Sequence, residues 1–316
     1  MNLKSALVLA ALAMLLSCPL PGRAEGSRIF LVSHAGAGDP FWKIEFRGAM
    51  DAAKMCAAQL TILAPDIPND IVRQTELLEQ AIAAAPDGIA TTISHPTALT
   101  SKLRLARERG IPVVAFNALP HDVDRLRTPF LAYIGMNDHS AGEAAARRAL
   151  ASGRLRTRVA VAVQQPGLTG LTSRLNGLRN IFEEQGIIVD ALDVTSDPDV
   201  ARQVVTDHLR LRPDTSGLIC LGPIGTHALA PLVKKRGSAL YFASFDITPL
   251  TVQLIREGTM DFTVDQQPYM QGFMSVMLLD LAARYALTPA DIDTGVGIVD
   301  AENVETVRAL ARENVR

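Results

Sequence analysis

One unit recurs along this chain and restricts its fold more than any other feature. It is a short apolar run rich in Val, Ile and Ala, followed by an amphipathic stretch with helical spacing. Runs at 28–33, 59–63, 88–93, 112–116 and 130–135 read as strands, and the stretches at 41–58, 69–84 and 97–109 read as helices between them. The runs are apolar throughout instead of alternating, as in a parallel sheet covered on both faces. Ala84-Ala85-Pro86-Asp87-Gly88 and Arg109-Gly110-Ile111-Pro112 place helix-stopping residues just ahead of strands. After a polar loop at 119–129 the pattern begins again. Strands at 158–163, 187–194, 217–221, 239–245 and 261–264 alternate with helices near 172–185, 198–211, 226–236 and 248–257. A helix at 270–285 and a short strand at 294–299 follow. Two βαβαβ series of similar length predict an α/β protein of two doubly wound parallel-sheet lobes, not one long sheet.

Composition narrows the function. With 316 residues, 48% hydrophobic and 20% charged, the chain can fill two cores, which excludes a disordered or collagen-like protein. Lys and Arg total 31 against 33 Asp and Glu, so no basic excess is available for phosphates and nucleic acid is not an expected partner. Three cysteines make no disulfide framework and no Cys-x-x-Cys pair exists, so Cys56 and Cys220 read as free thiols. The histidines lack ligand spacing, and no phosphate loop, nucleophile elbow or His-Glu-x-x-His pair is present. No metal, no cofactor and no enzymatic activity are expected. Gly36-Ala37-Gly38 lacks the third glycine of a dinucleotide fingerprint and puts Asp39 where a pyrophosphate would sit, so it reads as a turn into the helix at Pro40.

Residues 1–24 read as a signal peptide. Lys4 supplies the positive end, 6–16 is an apolar run too short to span a bilayer, and Gly22-Arg23-Ala24 carries small residues at both cleavage positions. Leu15-Leu16-Ser17-Cys18 also fits a lipoprotein box in which Cys18 is acylated. Either route exports the chain.

In open α/β sheets, ligands bind beyond the carboxyl ends of the strands, where strand order reverses. The residues there include Asp39, Phe41, Trp42, His95, Asn117, Arg174, Asp246 and Gln266. Such a mixture of acid, amide, guanidinium and aromatics suits a hydroxyl-rich ligand with a flat apolar face. Each has a plainer alternative. Phe41 and Trp42 could be a hydrophobic staple or core, and Asp246 could cap the following helix. Arg174 could be a surface cation, Gln266 a strand cap, and His95 could merely pack beside Pro96. Trp42 is the sole tryptophan.

Taken in order, several segments resemble one family. They are Asp39-Pro40-Phe41-Trp42 with Gly48 and Ala52, Pro86-Asp87-Gly88-Ile89, and Gly110-Ile111-Pro112-Val113-Val114. Gly135 with Asp138 and Gly142, Arg174-Leu175-Asn176-Gly177, Ser244-Phe245-Asp246 and 263–268 (Thr-Val-Asp-Gln-Gln-Pro) complete the series. The chain is similar to the type I periplasmic sugar-binding proteins of ABC importers, the ribose-binding-like group, over essentially all of its length beyond the signal. That resemblance implies a periplasmic protein of two lobes joined by a three-crossover hinge, with residues 26–137 plus 267–292 in the N-lobe and 138–266 plus 293–316 in the C-lobe. It implies a sugar- or polyol-like ligand in the interlobe cleft, a partner ABC permease in the inner membrane, and a monomeric state.

By the same resemblance Phe41 and Trp42 match the pair that stacks on the sugar ring, and Asp39 falls where many members have Asn. His95 falls where a polar side chain contacts a hydroxyl, Asn117 where Asp is common, and Arg174, Asp246 and Gln266 match hydrogen-bonding positions. Two departures stand out: Asn117-Ala118 lacks a guanidinium common there, and Gly222-Pro223-Ile224-Gly225 replaces an Asn-Asp. Both imply a less polar pocket and a ligand other than ribose. A ligand-sensing module that presents its solute to a sensor kinase or chemoreceptor is the rival reading. A lac-repressor-type regulator would need a DNA-binding segment where the signal stands.

Intact-mass measurement of the exported protein is expected to give a chain beginning at Glu25; a mass fitting diacylglycerol on Cys18 would replace that outcome with lipidation.

Overall fold

The computed structural model describes residues 26–95, 97–120 and 123–316. The signal segment, Cys18 and Pro96 lie outside the described residues. Within them the two series fold into two six-stranded sheets. The first holds β1 (Arg28–Val32), β2 (Gln59–Leu63), β3 (Gly88–Thr91), β4 (Val113–Phe116), β5 (Tyr133–Gly135) and β11 (Ile292–Asp293), in the order β11-β5-β4-β3-β1-β2. All its pairs are parallel. The second holds β6 (Arg158–Val163), β7 (Ile188–Asp193), β8 (Thr215–Cys220), β9 (Tyr241–Phe245), β10 (Phe262–Asp265) and β12 (Gly297–Asp300), in the order β12-β10-β9-β8-β6-β7. Only β12 runs antiparallel. Each sheet reverses its strand order at its first strand, so each has a switch point where a ligand crevice forms.

Each sheet has one buried apolar cluster on each face, which is why its strands are apolar at every position. Helices α1 (Pro40–Cys56), α2 (Ile71–Ala83) and α3 (Thr100–Glu108) connect the first sheet. Helices α4 (Asp138–Leu150), α5 (Thr169–Glu184), α6 (Pro198–Leu211), α7 (Pro223–Arg236) and α8 (Pro249–Arg256) serve the second. The chain returns through α9 (Pro268–Tyr285), which packs on α1 and the first sheet, and ends in α10 (Val304–Arg312) against α8. Proline opens α1, α6, α7, α8 and α9. Its fixed φ suits the first turn, and its missing N–H has no intrahelical acceptor there.

Two helix pairs approach so closely that glycine is required at the crossing. A Cβ on Gly48 would lie 2.0 Å from the Tyr269 carbonyl oxygen, and one on Gly272 would lie 2.1 Å from that of Glu45. In the second lobe the same device joins α4 and α5. Cβ atoms on Gly142 and Gly177 would meet the carbonyl oxygens of Arg174 and His139 at 2.1 Å each. This contact brings Asp138, the first residue of α4, beside Arg174.

The backbone crosses between the sheets three times: from β5 to α4, from β10 to α9, and from β11 to β12. The two doubly wound lobes with a three-crossover hinge expected from the sequence are therefore the fold observed. Details differ. The strand expected at 294–299 is observed as β12, starting only at Gly297, and β11 at 292–293 was not expected; between them the chain leaves one sheet for the other, turning at Gly295 with φ of 73°. The regular ladder of β5 starts at Tyr133, not at 130, and α10 went unread in the sequence. Both thiols are free; Cys220 is buried and Cys56 half-buried. No helix among the described residues is long and apolar enough to cross a membrane.

Between α1 and α9 lies a buried carboxyl with no partner. Neither oxygen of Glu45 has a hydrogen bond, and burial holds its carboxyl well above the ordinary carboxylate value. A raised pKa means the folded chain keeps a proton that the unfolded chain releases, so stability falls as pH climbs above about 4.3, the unfolded value. Glu45→Met, of similar length and apolar, is expected to stabilise the protein by roughly 1–3 kcal/mol, the desolvation cost of an unsatisfied polar group. Thermal melts at pH 5 and pH 8 check this: the gain should be larger at pH 8.

Candidate functional site

The carboxyl ends of both sheets face one cavity of about 50 Å³, lined by His34, Asp39, Phe41, Trp42, Asn117, Gln164, Gln165, Leu168, Leu171, Arg174, Leu221, Pro223, Asp246 and Gln266. Seven of the eight residues singled out in the sequence, all but His95, are among these. The first lobe supplies an aromatic wall. Trp42 meets His34 edge-on at 5.0 Å and Phe41 at 5.2 Å, with Phe46 and Phe116 behind it. Phe41 and Trp42 are thus both core residues and cavity wall. Asp39 caps α1, its Oδ1 accepting from Phe41 N at 3.0 Å, and no hydrogen bond from the described residues reaches its Oδ2.

The second lobe supplies the buried charges. Arg174 Nε donates to Asp138 Oδ1 at 2.7 Å and Nη1 to the Leu221 carbonyl at 2.9 Å, while the guanidinium lies over the Phe245 ring at 4.8 Å. It is a buried ion pair and not a surface cation. Asp246 is not a helix cap either: Thr248 caps α8 through a reciprocal box with Thr251. Instead Asp246 stands in the left-handed region, with φ of 74°. It is fixed there by its N–H to Val264 O at 2.7 Å and by Thr263 Oγ1 donating to its carbonyl at 2.9 Å. Just beyond the end of β9, it lines the cavity.

Gln266 joins the two halves. Its Nε2 donates to Asp246 Oδ1 at 2.6 Å, and its Oε1 accepts from Asn117 Nδ2 at 3.3 Å. Asn117, also left-handed with φ of 57°, donates in addition to Gln271 Oε1 at 3.1 Å, and its carbonyl accepts from Tyr133 Oη at 2.8 Å.

His95 lies elsewhere. It is exposed, does not line the cavity, and its Nδ1 accepts from the N–H groups of Thr97 and Ala98 at 3.3 and 3.2 Å, tying down the turn before α3. The imidazole in the wall is that of His34, hydrogen-bonded through Nδ1 to Thr92 Oγ1 at 3.1 Å and kept neutral by burial, its pKa pushed down to about 3. The sequence also left out Gln164 and Gln165 as individual residues. Gln164 Oε1 and Gln165 Nε2 are buried without partners. A Cβ on Gly222 would lie 2.2 Å from Gln164 Nε2, so the glycine leaves room for this amide. The polarity missing from 222–225 is thereby supplied from β6, which corrects the expectation of a less polar wall on that side.

Burial pushes the Asp39 carboxyl up to about 6, against the lowering effect of the Phe41 N–H. It pushes Asp246 up to about 7, opposed by the Arg174 charge and the Gln266 amide. Among the described residues no group of three or more His, Cys, Asp or Glu is placed to hold a metal ion.

Two hinged α/β lobes meeting over one polar, aromatic-walled cavity define a cleft-type solute-binding protein. The chain belongs to the periplasmic binding protein family, whose domain model matches residues 29–286. A xylose/arabinose-binding protein from Sulfolobus acidocaldarius is 26% identical, over 93% of this chain and 78% of the relative. The crystal structure of a periplasmic sugar-binding protein of an ABC sugar transporter from Legionella pneumophila is 33% identical with a TM-score of 0.81, covering 85% of this chain and 99% of that one. A carbohydrate transporter protein from Acidothermus cellulolyticus, in complex with myo-inositol, is 31% identical with a TM-score of 0.84 over 92% of this chain and all of that one.

The two roles once open for Asp246 are separable by mutation. Thr248→Ala is expected to cost about 1 kcal/mol of stability, as loss of a helix cap does, with affinity retained. Asp246→Ala is expected to weaken ligand binding by roughly 2 kcal/mol or more through loss of a buried charged acceptor. Calorimetric titration and thermal melts of both variants check the pair.

Proposed function

We propose that this protein captures a sugar- or polyol-like solute between its lobes and delivers it to an ABC permease. The observation that carries this reading is the cavity itself. Both lobes contribute to it, aromatic rings wall one side, and hydrogen-bonding groups without protein partners (Asp39 Oδ2, Gln164 Oε1, Gln165 Nε2) reach it from both sheets. A ring with hydroxyls on its edge and C–H groups on its face satisfies such walls, with the indole of Trp42 against the apolar face. The identity of the relatives' cargo, pentoses and an inositol, points the same way.

The family is one of periplasmic binding proteins, which places its members outside the cytoplasm. In our reading the chain is exported by its first 24 residues, works as a monomer, and divides into lobes at 26–137 plus 267–292 and at 138–266 plus 293–316. Capture proceeds by closure of the lobes about the three crossovers, excluding water and leaving the solute chemically unchanged. With no guanidinium at Ala118, ribose is a poorer ligand than one with fewer hydroxyls on that edge.

Trp42 is the reporter. Titration with myo-inositol, D-arabinose and D-xylose is expected to shift or quench the single tryptophan emission with at least one of them, and the solute should be recovered unaltered by mass spectrometry. Emission and melting temperature unmoved by every solute at millimolar concentration, or a converted product, would overturn the reading.

A further inference from the structure

Charge in the cavity is unbalanced. Three lining side chains can carry charge near neutrality: Asp39 from the first lobe, and Asp246 and Arg174 from the second. Arg174, the sole cation among the lining residues, is already paired with Asp138 at 2.7 Å. One guanidinium therefore stands against the carboxyls of Asp138, Asp246 and Asp39. No other lining side chain offsets this, and the N-termini of α1, α5 and α7 at the cavity supply only partial positive charge. His34 is neutral, and Asp265, next to Gln266, is paired with Arg316 at 2.7 Å. Asp39 and Asp246 lie near enough that the charge of one raises the pKa of the other.

Hydrogen bonding leaves groups of both kinds open, and the open acceptors include both carboxyls. Among the described residues, no partner reaches Asp39 Oδ2, Asp246 Oδ2 or Gln164 Oε1, which are all acceptors. Donors are left over too: Gln165 Nε2, one terminal nitrogen of Arg174, the Trp42 indole N–H and the Gln164 amide nitrogen. Burial makes two ionised carboxyls in one small cavity costly unless positive charge joins them.

We propose that the solute is a polyhydroxylated ring carrying a basic nitrogen, an amino sugar or an aminocyclitol, held between Asp39 of one lobe and Asp246 of the other. This rests on the capture reading above. A protonated amine donates to both free Oδ2 atoms and halves the excess of two negative charges, so the lobes close on a site nearer to neutral. A neutral ring satisfies the acceptors but leaves the charge. A sugar acid or sugar phosphate adds a further negative group to a cavity whose one guanidinium is committed.

Three matched sets test the proposal by calorimetry at pH 7: D-glucosamine, D-glucose and D-glucuronate; D-galactosamine, D-galactose and D-galacturonate; scyllo-inosamine, myo-inositol and myo-inositol 1-phosphate. In at least one set the amine should bind 10-fold or more tighter than the neutral ring, with the acid or phosphate weakest, and the set in which this occurs separates sugar from cyclitol. Asp39→Asn, which keeps the helix cap, should bring the amine-to-neutral ratio close to one. Neutral rings binding as well as amines, acids binding as well as neutral rings, or an amine preference that survives in Asp39→Asn/Asp246→Asn would overturn the inference while leaving capture intact. Binding by none of the nine would remove the inference, and failure of D-arabinose and D-xylose as well would remove capture with it.

Discussion

The side chain of Gln266 is the link on which the site depends. It leaves the end of β10 at a crossover and bonds at one end to Asp246 of the second lobe and at the other to Asn117 of the first. Its own carbonyl accepts from Gln271 Nε2 at 2.8 Å and from Thr294 Oγ1 at 2.8 Å, so two of the three crossovers are tied to the same residue. An amide is suited to this position because it donates and accepts at once, without charge. A carboxylate there would repel Asp246, and an apolar group would leave Asn117 and Asp246 unsatisfied in a buried place. Hinge geometry and the cavity wall are therefore parts of one network.

Packing positions the remaining groups. The glycine crossing of α4 on α5 sets Asp138 against Arg174, and the pairing makes burial of the guanidinium tolerable. The glycine crossing of α1 on α9 anchors the helix whose first turn presents Asp39, Phe41 and Trp42. In both lobes a close helix pair built from small residues holds a rigid scaffold from which a few polar groups reach the crevice. Rigidity of this kind lets carboxyls with pKa values raised by burial remain in place without protein partners on their outer oxygens.

Much of the candidate cavity's lining was legible in the chain, and the reasons are specific. Asp39, Phe41, Trp42, Asn117, Arg174, Asp246 and Gln266 sit where apolar runs end, and in parallel sheets those ends converge on the crevice. His95 also follows a strand, yet its ring turns back to bind two backbone N–H groups, a choice set by the local turn before α3 and invisible in strand spacing. His34 and Gln164 stand at equally good positions. Their roles depend on depth: the first is buried against Trp42, and the second fills the space left by Gly222 across the sheet. The pairing of Asp138 with Arg174 joins residues 36 apart in sequence, through a helix crossing that no local pattern records.

By itself the sequence determined the architecture. Unbroken apolar runs force parallel sheets covered on both faces, proline and glycine punctuation sets the element boundaries, and the repeated series sets the number of lobes. Those are local properties, fixed by which side chains must leave water and by which backbone angles each residue allows. Tertiary structure decided which strand-end residues meet, which amide bridges the lobes, and how many charges the cavity leaves uncompensated. These depend on distances between segments far apart in the chain and on burial, the largest cause lifting the Asp39 and Asp246 carboxyls toward neutrality.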